Sequence, residues 1–147
     1  MRKKSEPSRL QKEDYELLAE FRYTLRRFLR FSENAAKEYK LTPQKYQALL
    51  AIEGFPGRNY VTVGELAEQL QIAPHSTVGM VDRLVKSRLV KRTPASDDRR
   101  IVWVSLTPLG LELLEKLYRV HRTELHSVGP RLSTLLRKAA RSMPTEK

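Results

Sequence analysis

The chain has no cysteine, one tryptophan, six glycines and no long apolar run. Without cysteine there are no disulfides, no thiolate metal ligands and no thiol sensor of oxidants. No segment approaches the roughly 18 consecutive apolar residues that a membrane span needs. Met1 to Pro7 is basic at its start but has no apolar stretch behind it, so it does not read as a signal peptide. A cytoplasmic protein without membrane association is the expectation. Chemistry-bearing motifs are also missing. There is no glycine-rich phosphate loop, nucleophile elbow or paired-His metalloprotease motif. The three histidines are His75, His121 and His126, and the last two are five apart on a helix, which turns them to different sides. Asp97-Asp98 is flanked by Arg99-Arg100 and reads as an ion-paired loop. No enzyme, metal or cofactor is expected.

Acidic residues are scarce relative to basic ones, 17 against 28, for a net charge of +11. Residues 75–100 hold seven Lys/Arg against three Asp, and both chain ends are basic. A field of that sign speeds and strengthens contact with a polyanion and makes it salt-dependent. Basic ends alone are equally good solubilising tails, so the excess within 75–100 is the informative part.

The pattern from Thr62 to Gly110 organises that charge. Thr62-Val63-Gly64-Glu65 is a capping box, and Leu66, Ala67 and Leu70 follow at helical spacing. Gln71-Ile72-Ala73 is a turn, and Pro74 suits the first turn of a second helix to about Arg88. Val78, Val81, Leu84 and Val85 are expected to face inward, leaving His75, Ser76, Gly79, Asp82, Arg83 and Lys86 mostly on other sides. After Leu89 the period becomes that of strands, at 90–93 and 101–106, joined by Pro94-Ala95-Ser96-Asp97-Asp98-Arg99-Arg100. Thr107-Pro108 restarts a helix.

Two helices followed by a basic hairpin make a helix-turn-helix with a wing, whose usual task is to hold duplex DNA. The first turn of the second helix, His75-Ser76-Thr77, suits base edges or phosphates. Gly79, Arg83 and Lys86 extend that surface, and Arg99 and Arg100 tip the wing. Asp98 is repelled by phosphate, so its expected role is to pin Arg100.

Outside this unit, Leu18, Phe21, Leu25, Phe28, Leu29, Ala36 and Tyr39 form a stripe between Lys12 and Tyr39. Thr42-Pro43 starts the next helix, with Tyr46, Leu49, Leu50 and Ile52 inward, and Gly54 to Asn59 is a loop. A long helix is predicted from Pro108 towards Val128, ended by Gly129-Pro130, with a last helix from Arg131 to Arg141 and a frayed Met143 to Lys147. The fold class is thus mostly α with a small β-wing (α+β). A monomer core or an interlocked dimer can bury the end helices. The ladder Arg22, Arg26, Arg30 with Phe28, Phe31, Ser32, Tyr39 and Tyr46 is a candidate pocket for a small anionic or aromatic effector. Such ladders are also ordinary solvated flanks, and Tyr/Phe stripes ordinary core.

Gly64-Glu65-Leu66-Ala67, the Ser76-Thr77-Val78 helix with Asp82-Arg83-Leu84, and the wing pattern of Asp98, Arg100, Leu106, Thr107 and Gly110 resemble the MarR family of winged-helix transcription regulators. The resemblance implies a single domain over 1–147: dimerisation helices at 10–40 and 108–141, and a DNA-binding unit at 43–107 with its wing at 90–106. It implies a homodimeric repressor of a palindromic operator, released by a small ligand. The alternatives are an architectural protein that coats DNA without sequence preference, and a winged helix that meets protein or RNA.

Overall fold

The computed structural model describes residues 9–142, so the expectations for Met1 to Pro7 and Met143 to Lys147 lie outside the described residues. The elements are α1 (Lys12–Glu38), α2 (Pro43–Glu53), β1 (Tyr60–Val61), α3 (Val63–Leu70), α4 (Pro74–Lys86), β2 (Val90–Pro94), β3 (Val102–Leu106) and α5 (Pro108–Ser142). The described residues fall into two compact units, one of 9–31 with 122–142 and one of Ser32–His121. The boundary cuts α1 and α5 rather than the loops beside them, so the winged unit takes in the last turns of α1 and the first turns of α5.

Local chemistry sets the winged unit's helix starts. Thr42 caps α2 by accepting from the Lys45 N–H, with Pro43 in the first turn. The capping box of α3 is complete: Thr62 Oγ1 accepts from the Glu65 N–H at 3.1 Å, and Glu65 Oε1 from the Thr62 N–H at 3.0 Å. Gln71 turns left-handed (φ 54°) and ends α3. The sheet is antiparallel in the order β1-β3-β2, one strand more than the hairpin expected from sequence. Val61 pairs with Val104, and Val90 with Leu106. Pro94, which has no N–H to give, lies on edge strand β2. One core joins Leu49 and Ile52 of α2, Leu66 of α3, Val81 and Leu84 of α4, Val61, Val104, Leu114 and Leu117.

Two expectations need correction. Val78 is exposed, and Thr77 and Met80 are buried with Val81 and Leu84. The inward stripe of α4 is therefore 77, 80, 81, 84, a better helical repeat than one containing Val78. In addition, α5 runs through Pro130 to Ser142. A proline strains the residue before it chiefly through clashes with that residue's Cβ and N–H; Gly129 has no Cβ, so half of that obstacle is absent.

The other unit pairs the first turns of α1 with the last turns of α5. Arg131 donates to Glu20 across this pair, and Leu135 is buried. Leu10, Tyr15, Leu18, Tyr23, Leu25, Leu29, Leu125 and Leu136 are exposed.

Candidate nucleic-acid interface

Helix α4 presents His75 and Ser76 in its first turn, and Asp82, Arg83 and Lys86 further along, all exposed. His75, Gly79, Asp82 and Lys86 fall on one helical stripe. Thr77 does not join them. It is fully buried, and its hydroxyl donates to the Ala73 carbonyl at 3.1 Å, closing the first turn of a helix with no side-chain N-cap. Its expected contact with DNA is thereby corrected to a structural role. A Cβ at Gly79 would come no closer than 3.5 Å to a neighbour, Arg83 Nη1, so packing does not demand the glycine there.

The wing is held at its tip and at its base. At the tip, the Ala95 N–H donates to the Ile101 carbonyl (2.9 Å) and the Ile101 N–H to the Asp98 carbonyl (3.0 Å). The Asp98 carboxylate accepts from Arg100 three times, from Nε and Nη2 at 3.1 Å and from the backbone N–H at 3.0 Å. These bonds lower the Asp98 pKa, the side-chain bond from Arg100 most of all, and the same pair raises that of Arg100. The fork is fixed yet remains in solvent, as does Arg99. At the base, the Thr107 hydroxyl donates to the Arg88 carbonyl (2.6 Å) and accepts from the Gly110 N–H (3.1 Å), while the Thr107 N–H reaches the Leu89 carbonyl (3.0 Å). A Cβ at Gly110 would meet the Leu89 carbonyl oxygen at 2.1 Å. The spacing of Thr107 and Gly110 therefore has a steric cause, since only glycine lets the strand enter against the new helix.

Three groupings were not anticipated. Asp82 of α4 accepts from Arg92 of β2, tying the helix to the wing. Arg58, read from sequence as a loop residue, donates to Glu65 and lies over the rings of Phe55 (4.6 Å), Trp103 (5.0 Å) and Tyr60 (5.5 Å). Burial raises the Glu65 pKa, but the bonds from Thr62 and Arg58 outweigh it and hold the carboxyl below its usual value. The density of aromatic residues around Arg58 in β1 and β3 was the available signal. The third grouping is His121, buried and stacked on Tyr46 at 4.8 Å. Its Nδ1 lies 2.6 Å from the Leu117 carbonyl, which only accepts, so this nitrogen carries the proton. In the neutral ring Nε2 then accepts from the Ser32 hydroxyl at 2.7 Å, and the Tyr46 hydroxyl stands 3.3 Å from Nδ1.

The candidate effector residues therefore part company. Ser32 bonds His121 and Tyr46 stacks on it inside the winged unit; burial also raises the Tyr46 pKa. Arg22, Arg26 and Arg30 are exposed in the other unit, where Phe28 and Phe31 are partly buried, and Tyr39 is exposed at the end of α1. Among the described residues no group of three His, Cys, Asp or Glu is arranged to hold a metal, and no helix is long and apolar enough to cross a membrane.

Comparison with known proteins bears on this geometry. Residues 39–101 match the model of the MarR family. The chain is 28% identical over 80 residues to YsmB, an HTH-type transcriptional regulator of Bacillus subtilis, a match covering 54% of this chain and 53% of that protein. It is 40% identical over 48 residues to the B. subtilis repressor MdtR, covering 33% and 31%. The chain thus spans about half or less of the length of these curated relatives. Among solved structures, a MarR family protein from Bacillus stearothermophilus superimposes with a TM-score of 0.74 at 23% identity, over 92% of this chain and 99% of that one. A mutant MarR from E. coli in complex with operator DNA gives 0.67 at 23% identity, over 93% and 100%. At such identity these structures speak for the fold.

Proposed function

From a chain that carries a MarR-family winged helix, we propose a sequence-specific DNA-binding transcription regulator that works as a homodimer on a palindromic operator. One observation carries the reading. A single self-contained unit offers an exposed helix start, His75 and Ser76, with Arg83 and Lys86 behind it and the fixed fork of Arg100 beside Arg99 at the wing tip. The first turn of α4 enters the major groove, where a bare N-terminus and short polar side chains suit phosphate and base edges. Gly79, which packing does not require and which costs an exposed helix about 1 kcal/mol against alanine, leaves the backbone open to close approach. The wing arginines take phosphate or the minor groove. Asp82 lies on the same stripe, and its charge is offset by Arg92.

The dimer rests on the exposed leucines and tyrosines of the other unit, an apolar surface that a second copy covers. Two α4 helices then meet successive major grooves about one helical turn apart. Repression is the sense that fits the repressor among the relatives, and the exposed ladder of Arg22, Arg26 and Arg30 is our reading for an anionic effector that releases the complex. Nothing in the site supports catalysis.

Selection of bound sequences from a random duplex pool at physiological salt tests this reading. The expected result is a palindrome with half-sites about ten base pairs apart. Binding that enriches no motif would replace it with the architectural role, and absence of binding would remove DNA from the account.

A further inference from the structure

Away from the DNA-facing surface, α2 and α5 of the winged unit enclose a groove of about 390 Å³. Each helix lines it with one stripe: Leu50, Glu53 and Gly54 from α2, and Leu111, Leu114, Glu115 and Tyr118 from α5, with Arg119 beside them. The two stripes share a pattern in which a leucine is followed three or four residues later by a glutamate. The groove combines two features. Leu50 at 44%, Leu111 at 37% and Tyr118 at 55% exposure are open, around a buried Leu114. Its carboxylates outnumber its one cation in a chain whose net charge is +11. Gly54 ends α2 at this point; a Cβ there would lie 2.9 Å from the Leu50 carbonyl, and no side chain fills that end of the groove.

We propose that this groove is a binding site for a lipophilic organic cation. Its volume lies in the range of small-molecule sites, and such sites combine an apolar floor with a few placed polar groups. Leu50, Leu111 and Leu114 supply the floor. Glu53 and Glu115 face a positive charge from the two walls, and the Tyr118 ring offers a π-face to the same charge. An anion meets two carboxylates against one arginine, Arg119, and is disfavoured here. A neutral apolar molecule gains the floor but not the charge. The ligand class is therefore opposite in sign to the nucleic acid expected at α4, and the proposal does not depend on that reading.

Titration calorimetry of the full chain with tetraphenylphosphonium chloride tests it, with triphenylphosphine oxide as the neutral analogue of similar shape. The phosphonium is expected to bind and to shift the amide resonances of Leu50, Gly54, Leu111 and Tyr118. Glu53→Gln with Glu115→Gln, two changes at incompletely buried positions, is expected to weaken phosphonium binding about ten-fold and leave phosphine oxide binding unchanged. No phosphonium binding overturns the proposal, as does equal affinity for the two probes, shifts confined to other residues, or an unaltered affinity in the doubly substituted chain. Binding of a second copy of the chain in this groove shows itself as concentration-dependent masking of the same resonances, and also overturns it.

Discussion

The winged unit and the unit formed by the ends of α1 and α5 use the same apolar residue types and treat them in opposite ways. In the winged unit Leu49, Ile52, Leu66, Leu84 and Leu117 are sealed, and even Thr77 and His121 find partners inside. In the other, Leu135 is sealed while Leu18 is 59% and Leu136 53% exposed, beside an apolar hollow lined by Leu10, Leu17, Phe21 and Ala139. Burying a leucine side chain contributes about 1.5–3 kcal/mol, so leaving several in water forgoes much of what a small unit has available. The first unit seals most of its large side chains in one core of its own, whereas the second leaves a broad apolar surface open, which we propose a second copy of the chain covers.

The comparison can be broken most severely at Gly110. Gly110→Val drives a side chain into the Leu89 carbonyl, and a loss of about 3 kcal/mol is expected, lowering the melting temperature of the winged unit by about 15 °C in calorimetry. An unchanged melting temperature would mean that the base of the wing is not rigid. Next in size, Leu18→Asp with Leu136→Asp should leave that transition in place and convert the proposed dimer to monomer in sedimentation. Retention of the dimer would show that association uses a different surface. Arg100→Ala sharpens the contrast from the other side. It touches neither core, so stability should hold while operator affinity falls about ten-fold and the salt slope drops by about one; equal affinity removes the wing from the mechanism.

The smallest effect is a pH dependence. Glu65 has a lowered pKa in the folded chain, so its contribution to stability is present above its ordinary value of 4.5 and is lost as the pH falls through the folded value. Denaturant titrations from pH 6 down to pH 3 should show this loss, and Glu65→Gln should flatten it at a cost of about 1 kcal/mol near neutrality. A profile that Glu65→Gln leaves unaltered would assign the acid sensitivity elsewhere.

Features set by neighbours in sequence were legible before the structure. The capping box at Thr62 and Glu65, the prolines opening α2, α4 and α5, and the strands flanking the wing all depend on contacts within a few residues. What escaped depends on distant pairing or on which of several local options packing selects. Strand β1 has two residues, too few to show a period, and exists because β3 offers Val104 and Ser105 as partners. Thr77 counts as polar until its hydroxyl is seen to bond Ala73, after which its methyl is free to pack. Pro130 reads as a stop signal, and its continuation rests on a glycine at 129 and on packing along α5. Arg58 looks like a loop cation until the rings of Phe55, Tyr60 and Trp103 and the Glu65 carboxylate converge on it. On the surface proposed to face DNA, residue types were readable, but which of them point outward depended on the true inward stripe of α4.

The double bond made by Thr107 has a consequence for conformational entropy. Because its hydroxyl joins the Arg88 carbonyl to the Gly110 amide, both ends of the β2–β3 hairpin are pinned to the body at one point. Fixing a free residue costs about 1–2 kcal/mol, and a hairpin hinged at its base would incur that cost at the hinge residues on every encounter. Here the strands are ordered in advance, and the Asp98–Arg100 clasp orders part of the tip as well. Ser96, Asp97 and the exposed Arg99 side chain lie outside these bonds, so most of the wing's backbone is placed before any partner arrives.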